Sequence, residues 1–151
     1  MRIIKGDLIE LAKEGVFDVI IHGCNCYGNM DGGIAKAIKS NFPEAFHADQ
    51  ASSKGDINKL GNYTSAMVVC RKHPLFIVNA YTQAHWKGKG VLVDYNSISA
   101  VMQLVKSDFS GKRIGYPRIG AGLAGGDWSI ISHIIDEKLE GEDHALVDYT
   151  G

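Results

Sequence analysis

Two stretches of the chain put glycines where a backbone can close around an anion. The first is Ile20-Ile21-His22-Gly23-Cys24-Asn25-Cys26-Tyr27-Gly28-Asn29-Met30-Asp31-Gly32-Gly33-Ile34-Ala35. The second is Gly115-Tyr116-Pro117-Arg118-Ile119-Gly120-Ala121-Gly122-Leu123-Ala124-Gly125-Gly126-Asp127-Trp128. Both run from an apolar strand through a glycine-rich turn into a helix. Glycine lets main-chain N–H groups approach a ligand, and a helix N-terminus adds positive partial charge, so the pair suits phosphate. Either loop alone reads equally well as a tight turn, whereas two in one chain argue for a binding site.

The second loop also satisfies G-x-G-x-x-G at Gly120, Gly122 and Gly125, the fingerprint of a dinucleotide fold. Context argues against that fold, since only one more helix and strand fit before Gly151. No Gly-Lys-Ser/Thr follows either loop, so the nucleotide-hydrolase phosphate loop is absent too. His22, Cys24 and Cys26 alternate at a strand end and share one face, which imitates a metal site. A fourth ligand at a recognisable spacing is missing, and small thiols beside a packed strand are commonly core, so no metal is expected.

Single side chains read two ways. His22 is either a proton-transfer group beside an anion loop or a hydrogen-bonded core histidine. Asp7 is a helix N-cap or an acceptor for an exocyclic amine at the sheet's edge. Asp31 is catalytic or turned away, because a carboxylate facing phosphate is repelled unless it is protonated. Tyr81 and Trp86 flank a ring or sugar, or simply pack at a loop base. Lys87 and Lys89 reach a phosphate or stay solvated.

Positioning these groups takes a sheet. Strand-sized runs rich in Val and Ile recur over 2–5, 19–22, 63–70, 75–80, 113–116 and 145–149. Helical spacing links Leu8, Leu11 and Ala12, then Ile34, Ala35, Ala37 and Ile38, then Ile98, Val101, Met102 and Val105, and finally Ile131, Ile134 and Ile135. The alternation predicts an α/β fold with helices on both faces of the sheet. Gly33 opens a helix that stops before Pro43, and Asp127 caps one that ends near Gly141. Residues 52–56 and 87–90 read as loops.

With 151 residues, 45% of them apolar, the chain fills one ordinary core, and one domain over 1–151 is expected. Its 16 basic and 17 acidic residues are interspersed and leave a net charge of -1, so no overall field draws it to nucleic acid or a membrane. Three cysteines, an odd number, make a poor disulfide framework; reduced thiols and a cytoplasmic location are expected. No apolar stretch approaches the roughly 18 residues of a membrane span.

Gly6-Asp7-Leu8, Asn25 with the loop to Asp31-Gly32-Gly33-Ile34-Ala35, and Gly120-Ala121-Gly122-Leu123 before a helix resemble the macrodomain family, in its order and across nearly the whole chain. More narrowly, His22-x-Cys24-Asn25-Cys26 is similar to the ADP-ribose-1''-phosphate phosphatases of yeast and phage type. Pro117-Arg118-Ile119-Gly120-Ala121-Gly122-Leu123 through Asp127-Trp128 is similar to the antitoxin macrodomains that remove ADP-ribose from DNA. The resemblance implies a three-layer α/β/α fold with a mixed six-stranded sheet and ADP-ribose across the strand ends. Asp7 would then hold the adenine amine, Leu8 contact the base and Tyr149 stack on it. Asn25 would bond the distal ribose, with Gly32, Gly33 and Ile34 beside it and Gly120, Ala121, Gly122, Leu123, Ala124 and Gly125 around the diphosphate.

Three residues depart from the family. Gln83 stands where lysine-dependent relatives carry their lysine, Ala124 where a deacylating group carries aspartate, and Asp31 where glycine is usual. A neutral amide cannot form the covalent sugar adduct of an amine. The activity expected is therefore release of phosphate from ADP-ribose-1''-phosphate by a monomer. Asn25 would orient the sugar or water, and His22 and Asp31 would move the proton. Backbone donors would carry the charge, with no cofactor or metal. A non-catalytic ADP-ribose reader, and a hydrolase acting on ADP-ribosylated protein or nucleic acid, are the alternatives.

Overall fold

A computed structural model describes residues 1–150. The Val- and Ile-rich runs form six strands: β1 (Arg2–Gly6), β2 (Val19–Asn25), β3 (Tyr63–Cys70), β4 (His73–Gln83), β5 (Arg113–Tyr116) and β6 (Asp143–Tyr149). Five helices separate them: α1 (Leu8–Lys13), α2 (Gly33–Asn41), α3 (Pro43–Gln50), α4 (Tyr95–Phe109) and α5 (Trp128–Lys138). The strand order is β1-β6-β5-β2-β4-β3, parallel except for the antiparallel β3–β4 pair.

Period two divides the central strands between two cores. Val19, Ile21, Val78 and Ala80 pack with Val101, Met102, Ile131 and Ile135 of α4 and α5. Ile20 and Ile77, one residue out of phase, pack with Leu8, Ala12, Ile38 and Ala45 of α1, α2 and α3. Helices thus cover both faces, as an α/β layer architecture requires.

Two elements differ from the sequence expectation. The helix from Gly33 does stop before Pro43, but Pro43 then opens α3, because proline is also favoured in a helix's first turn. The strands β2 and β4 also run further than their aliphatic runs. They pair in parallel as far as Asn25↔Gln83, with a register shift between Cys24 and Asn25, so Tyr81 and Thr82 lie in the sheet. No helix among the described residues is long and apolar enough to cross a membrane.

Candidate functional site

The strands β2 and β5 are hydrogen-bonded neighbours, so the loops that leave their C-terminal ends must meet. Between them lies a cavity of about 660 Å³, the crevice beyond the carboxyl ends of a parallel sheet where α/β proteins take ligands. Asn25, Asp31, Gly32, Gly33 and Ile34 line it from the first loop, and Gly120, Gly122, Leu123 and Ala124 from the second.

The loops present their N–H groups differently. Helix α2 begins at Gly33 behind Gly32, which offers no side-chain cap, so its first N–H groups remain open beside the cavity. Helix α5 is closed instead, since Asp127 accepts from Ser129 N at 2.9 Å. The second loop therefore works through its turn. Gly126 N donates to Gly120 O at 2.7 Å, and Leu92 N donates to Ala124 O at 2.8 Å, pinning the turn from outside. A Cβ on Gly126 would sit 2.5 Å from Gly120 O, so only glycine permits that closure.

Asn25 shapes the first loop. Its Oδ1 accepts from Tyr27 N at 3.0 Å and Asn29 N at 3.2 Å, and its Nδ2 donates to Asn29 O at 2.8 Å. One N–H of the amide is left for a ligand. Asp31 is open to solvent, its side chain 72% exposed, and ion-paired with Lys39 at 3.3 Å.

His22 lies on the other side of the sheet. Alternation along β2 sends it toward α3 while Gly23 floors the cavity, and it is fully buried. Asn79 Nδ2 donates to Ala45 O at 2.9 Å and Thr64 Oγ1 at 3.1 Å, leaving Oδ1 to accept from His22 Nε2 at 2.6 Å. That bond assigns the proton to Nε2, and the Cys24 sulfur lies against the ring, 3.5 Å from Nε2 and 3.7 Å from Nδ1. Burial, only partly opposed by the bond to Asn79, lowers the His22 pKa to about 4; burial first, and the Asp49 charge next, hold the Cys24 thiol well above its usual value. Where the sequence offered a proton-transfer group or a core histidine, the structure places His22 in the core, outside the lining of the cavity.

The sequence pattern of the macro domain matches residues 21–135. The chain belongs to the macro domain family. A 17.5 kDa protein of Enterobacteria phage T4 is 34% identical over 155 residues, covering 99% of this chain and 96% of that protein. The DNA ADP-ribosyl glycohydrolase of Mycobacterium tuberculosis is 27% identical over 126 residues, 82% of this chain; the chain spans only 34% of that protein's length. The ADP-ribose 1''-phosphate phosphatase of Aspergillus oryzae is 48% identical over a shorter stretch of 44 residues, 29% of this chain and 20% of that protein. Among solved structures, the macrodomain of Mycobacterium tuberculosis DarG matches with a TM-score of 0.76 at 21% identity, over 98% of this chain and 95% of that one, a likeness of fold.

Other expected ligand contacts of this macro domain fall outside the cavity wall. Asp7 Oδ1 accepts from Glu10 N at 3.0 Å as the α1 N-cap, and Leu8 is buried in the core beneath it. Tyr149 is exposed and sits level with Gly6 across the β1–β6 pair, so it neighbours Asp7 at the sheet edge. Ala121 and Gly125 support the second loop without facing the cavity. Tyr81 is buried, with its hydroxyl bonded to Asp49 Oδ1 at 2.7 Å, while Trp86 does line the cavity. Arg118 was not singled out by the sequence. It lines the wall, held by Asp148 at 3.2 and 3.3 Å with its guanidinium 5.5 Å from the Trp128 ring, and a cation within a glycine loop was the signal that could have marked it.

Proposed function

We propose that this macro domain binds ADP-ribose between its two loops and hydrolyses ADP-ribose-1''-phosphate to ADP-ribose and phosphate, with Asp31 as the acid–base group. The observation that carries the reading is the make-up of the wall. Gln83 and Ala124 both line the cavity, at the positions where glycosidic relatives are expected to carry lysine and aspartate. Asp31 is the carboxylate left beside Asn25.

In this scheme the open N–H groups of α2 face the charged oxygens of the ligand in the main cavity. Asp31 takes a proton from water as its oxygen bonds to phosphorus, the bond from phosphorus to O1'' breaks, and the proton passes to O1''. ADP-ribose leaves with a hydroxyl at C1'', and the water oxygen leaves in inorganic phosphate. The test is to incubate the protein with ADP-ribose-1''-phosphate and follow phosphate by ³¹P NMR. Wild type is expected to release it, and Asp31→Asn to lose about a hundredfold in rate, the low end of general acid–base catalysis. Tight ADP-ribose binding without release would make the protein a reader instead.

The longer match to the glycohydrolase favours a second reading, removal of ADP-ribose from a modified macromolecule. Inertness toward ADP-ribosylated protein and DNA, alongside phosphate release from the small substrate, would remove it.

A further inference from the structure

A second groove, of about 250 Å³, opens beside the cavity and shares Asn29, Asp31 and Trp86 with it. Lys39, from α2, and Lys54, from the loop after α3, both line it. Lys39 is committed to Asp31, whereas Lys54 has no carboxylate within ion-pair distance among the described residues. The residues lining the groove therefore carry one carboxylate against two lysines, an excess of one positive charge. Like-charge repulsion, the objection to Asp31 beside an anion, is offset here by its own lysine.

The aromatic groups of the groove are already engaged. The His85 ring stacks on Tyr27 at 4.7 Å, and Trp86 meets Tyr27 edge-on at 5.7 Å. Lys39 Nζ lies 4.2 Å above the Phe46 ring, and Lys87 Nζ lies 5.7 Å from Trp86. Nucleobase recognition on single strands relies on free aromatic faces as well as cations. What the groove offers is positive charge in a small space, which suits a compact anion.

We infer that this groove is a phosphate subsite, holding the group attached to C1'' of the distal ribose while ADP-ribose fills the main cavity, with Lys54 as its selecting residue. The inference rests on the phosphatase reading for the identity of that group, but its test does not need turnover. Calorimetry on the whole protein compares ADP-ribose-1''-phosphate with ADP-ribose, in wild type, Lys54→Ala and Lys54→Arg.

Lys54 is exposed, so the folded state tolerates both changes. Wild type is expected to bind the phosphorylated compound about tenfold more tightly, the equivalent of one favourable charge contact of about 1.4 kcal/mol. Lys54→Ala should erase the preference without changing ADP-ribose affinity, and arginine should restore it. A preference that survives Lys54→Ala, no preference in wild type, or equal weakening toward both ligands overturns the subsite. Phosphate release with an unchanged KM in Lys54→Ala also sinks the subsite and leaves the phosphatase standing. Absent release with a Lys54-dependent preference does the reverse.

Discussion

Protonating His22 should unfold this protein from the inside. Its imidazole is fully buried, donates through Nε2 to Asn79, and is held neutral by burial to a pKa of about 4, against an ordinary 6.5 in the unfolded chain. The unfolded state therefore binds the extra proton first. A depressed imidazole pKa gives stability that is complete above about pH 6.5 and is lost as pH falls from there toward 4. Between about pH 7.5 and pH 5 the loss from this one group works out at about 2 kcal/mol, a large share of a domain's usual stability. His144 is also lowered, by burial first and by the N-terminal charge, so it adds loss of the same sign. Urea unfolding of wild type and His22→Gln at the two pH values separates them, because glutamine can keep a donor toward Asn79 but cannot titrate. The wild-type loss should exceed that of the variant by about 2 kcal/mol. Nitrogen chemical shifts of the native His22 ring should stay those of a neutral imidazole at about pH 5.5. Equal losses in the two proteins, or a native ring titrating near 6.5, would refute the reasoning.

Three substitutions test the packing at and behind the cavity. Thr82 is fully buried and its Oγ1 has no hydrogen-bond partner, so Thr82→Val should raise stability by about 1 kcal/mol and the melting temperature by about 3 °C in thermal unfolding. Gly126→Ala drives a Cβ to 2.5 Å from Gly120 O and 2.6 Å from Val93 Cγ1. It should cost about 2–3 kcal/mol and weaken ADP-ribose binding more than tenfold by calorimetry. The added Cβ of Gly122→Ala meets nothing within 4 Å, so that protein should melt like wild type.

Strands and loops were legible because their signals are local. Val and Ile runs mark β2, β4 and β5, and the glycines of the two turns stand beside each other in sequence. What stayed hidden depends on partners far along the chain. Period two shows that His22 and Gly23 face opposite ways, but not which face holds the cavity. Only the packing of α3 decides that, and Pro43-Glu44-Ala45-Phe46-His47-Ala48-Asp49-Gln50 carries little apolar periodicity of its own. Asn79 binds His22 across 57 residues, and Arg118 finds Asp148 across 30. Lys54 looked like part of a polar loop, and the fold alone brings it to the groove beside Asp31 and Lys39.

The two sheet faces also divide the chemistry. On the α3 side, His22, Asn79, Thr64, Tyr81 and Asp49 form one chain of hydrogen bonds, each joined to the next at 2.6–3.1 Å. Burial raises the Tyr81 pKa, as it does that of Cys24, and lowers that of His22, so the buried neutral forms are favoured at neutral pH. A network of that kind rigidifies the ends of β2 and β4. On the cavity side the charged side chains of the wall are Asp31 and Arg118, both open to solvent and each held by an opposite charge, Lys39 and Asp148. The rigid face fixes where the first loop leaves the sheet, and in the proposed reaction the open face supplies the carboxylate. If that division holds, His22→Gln should lower stability far more than it lowers turnover, and Asp31→Asn should do the opposite.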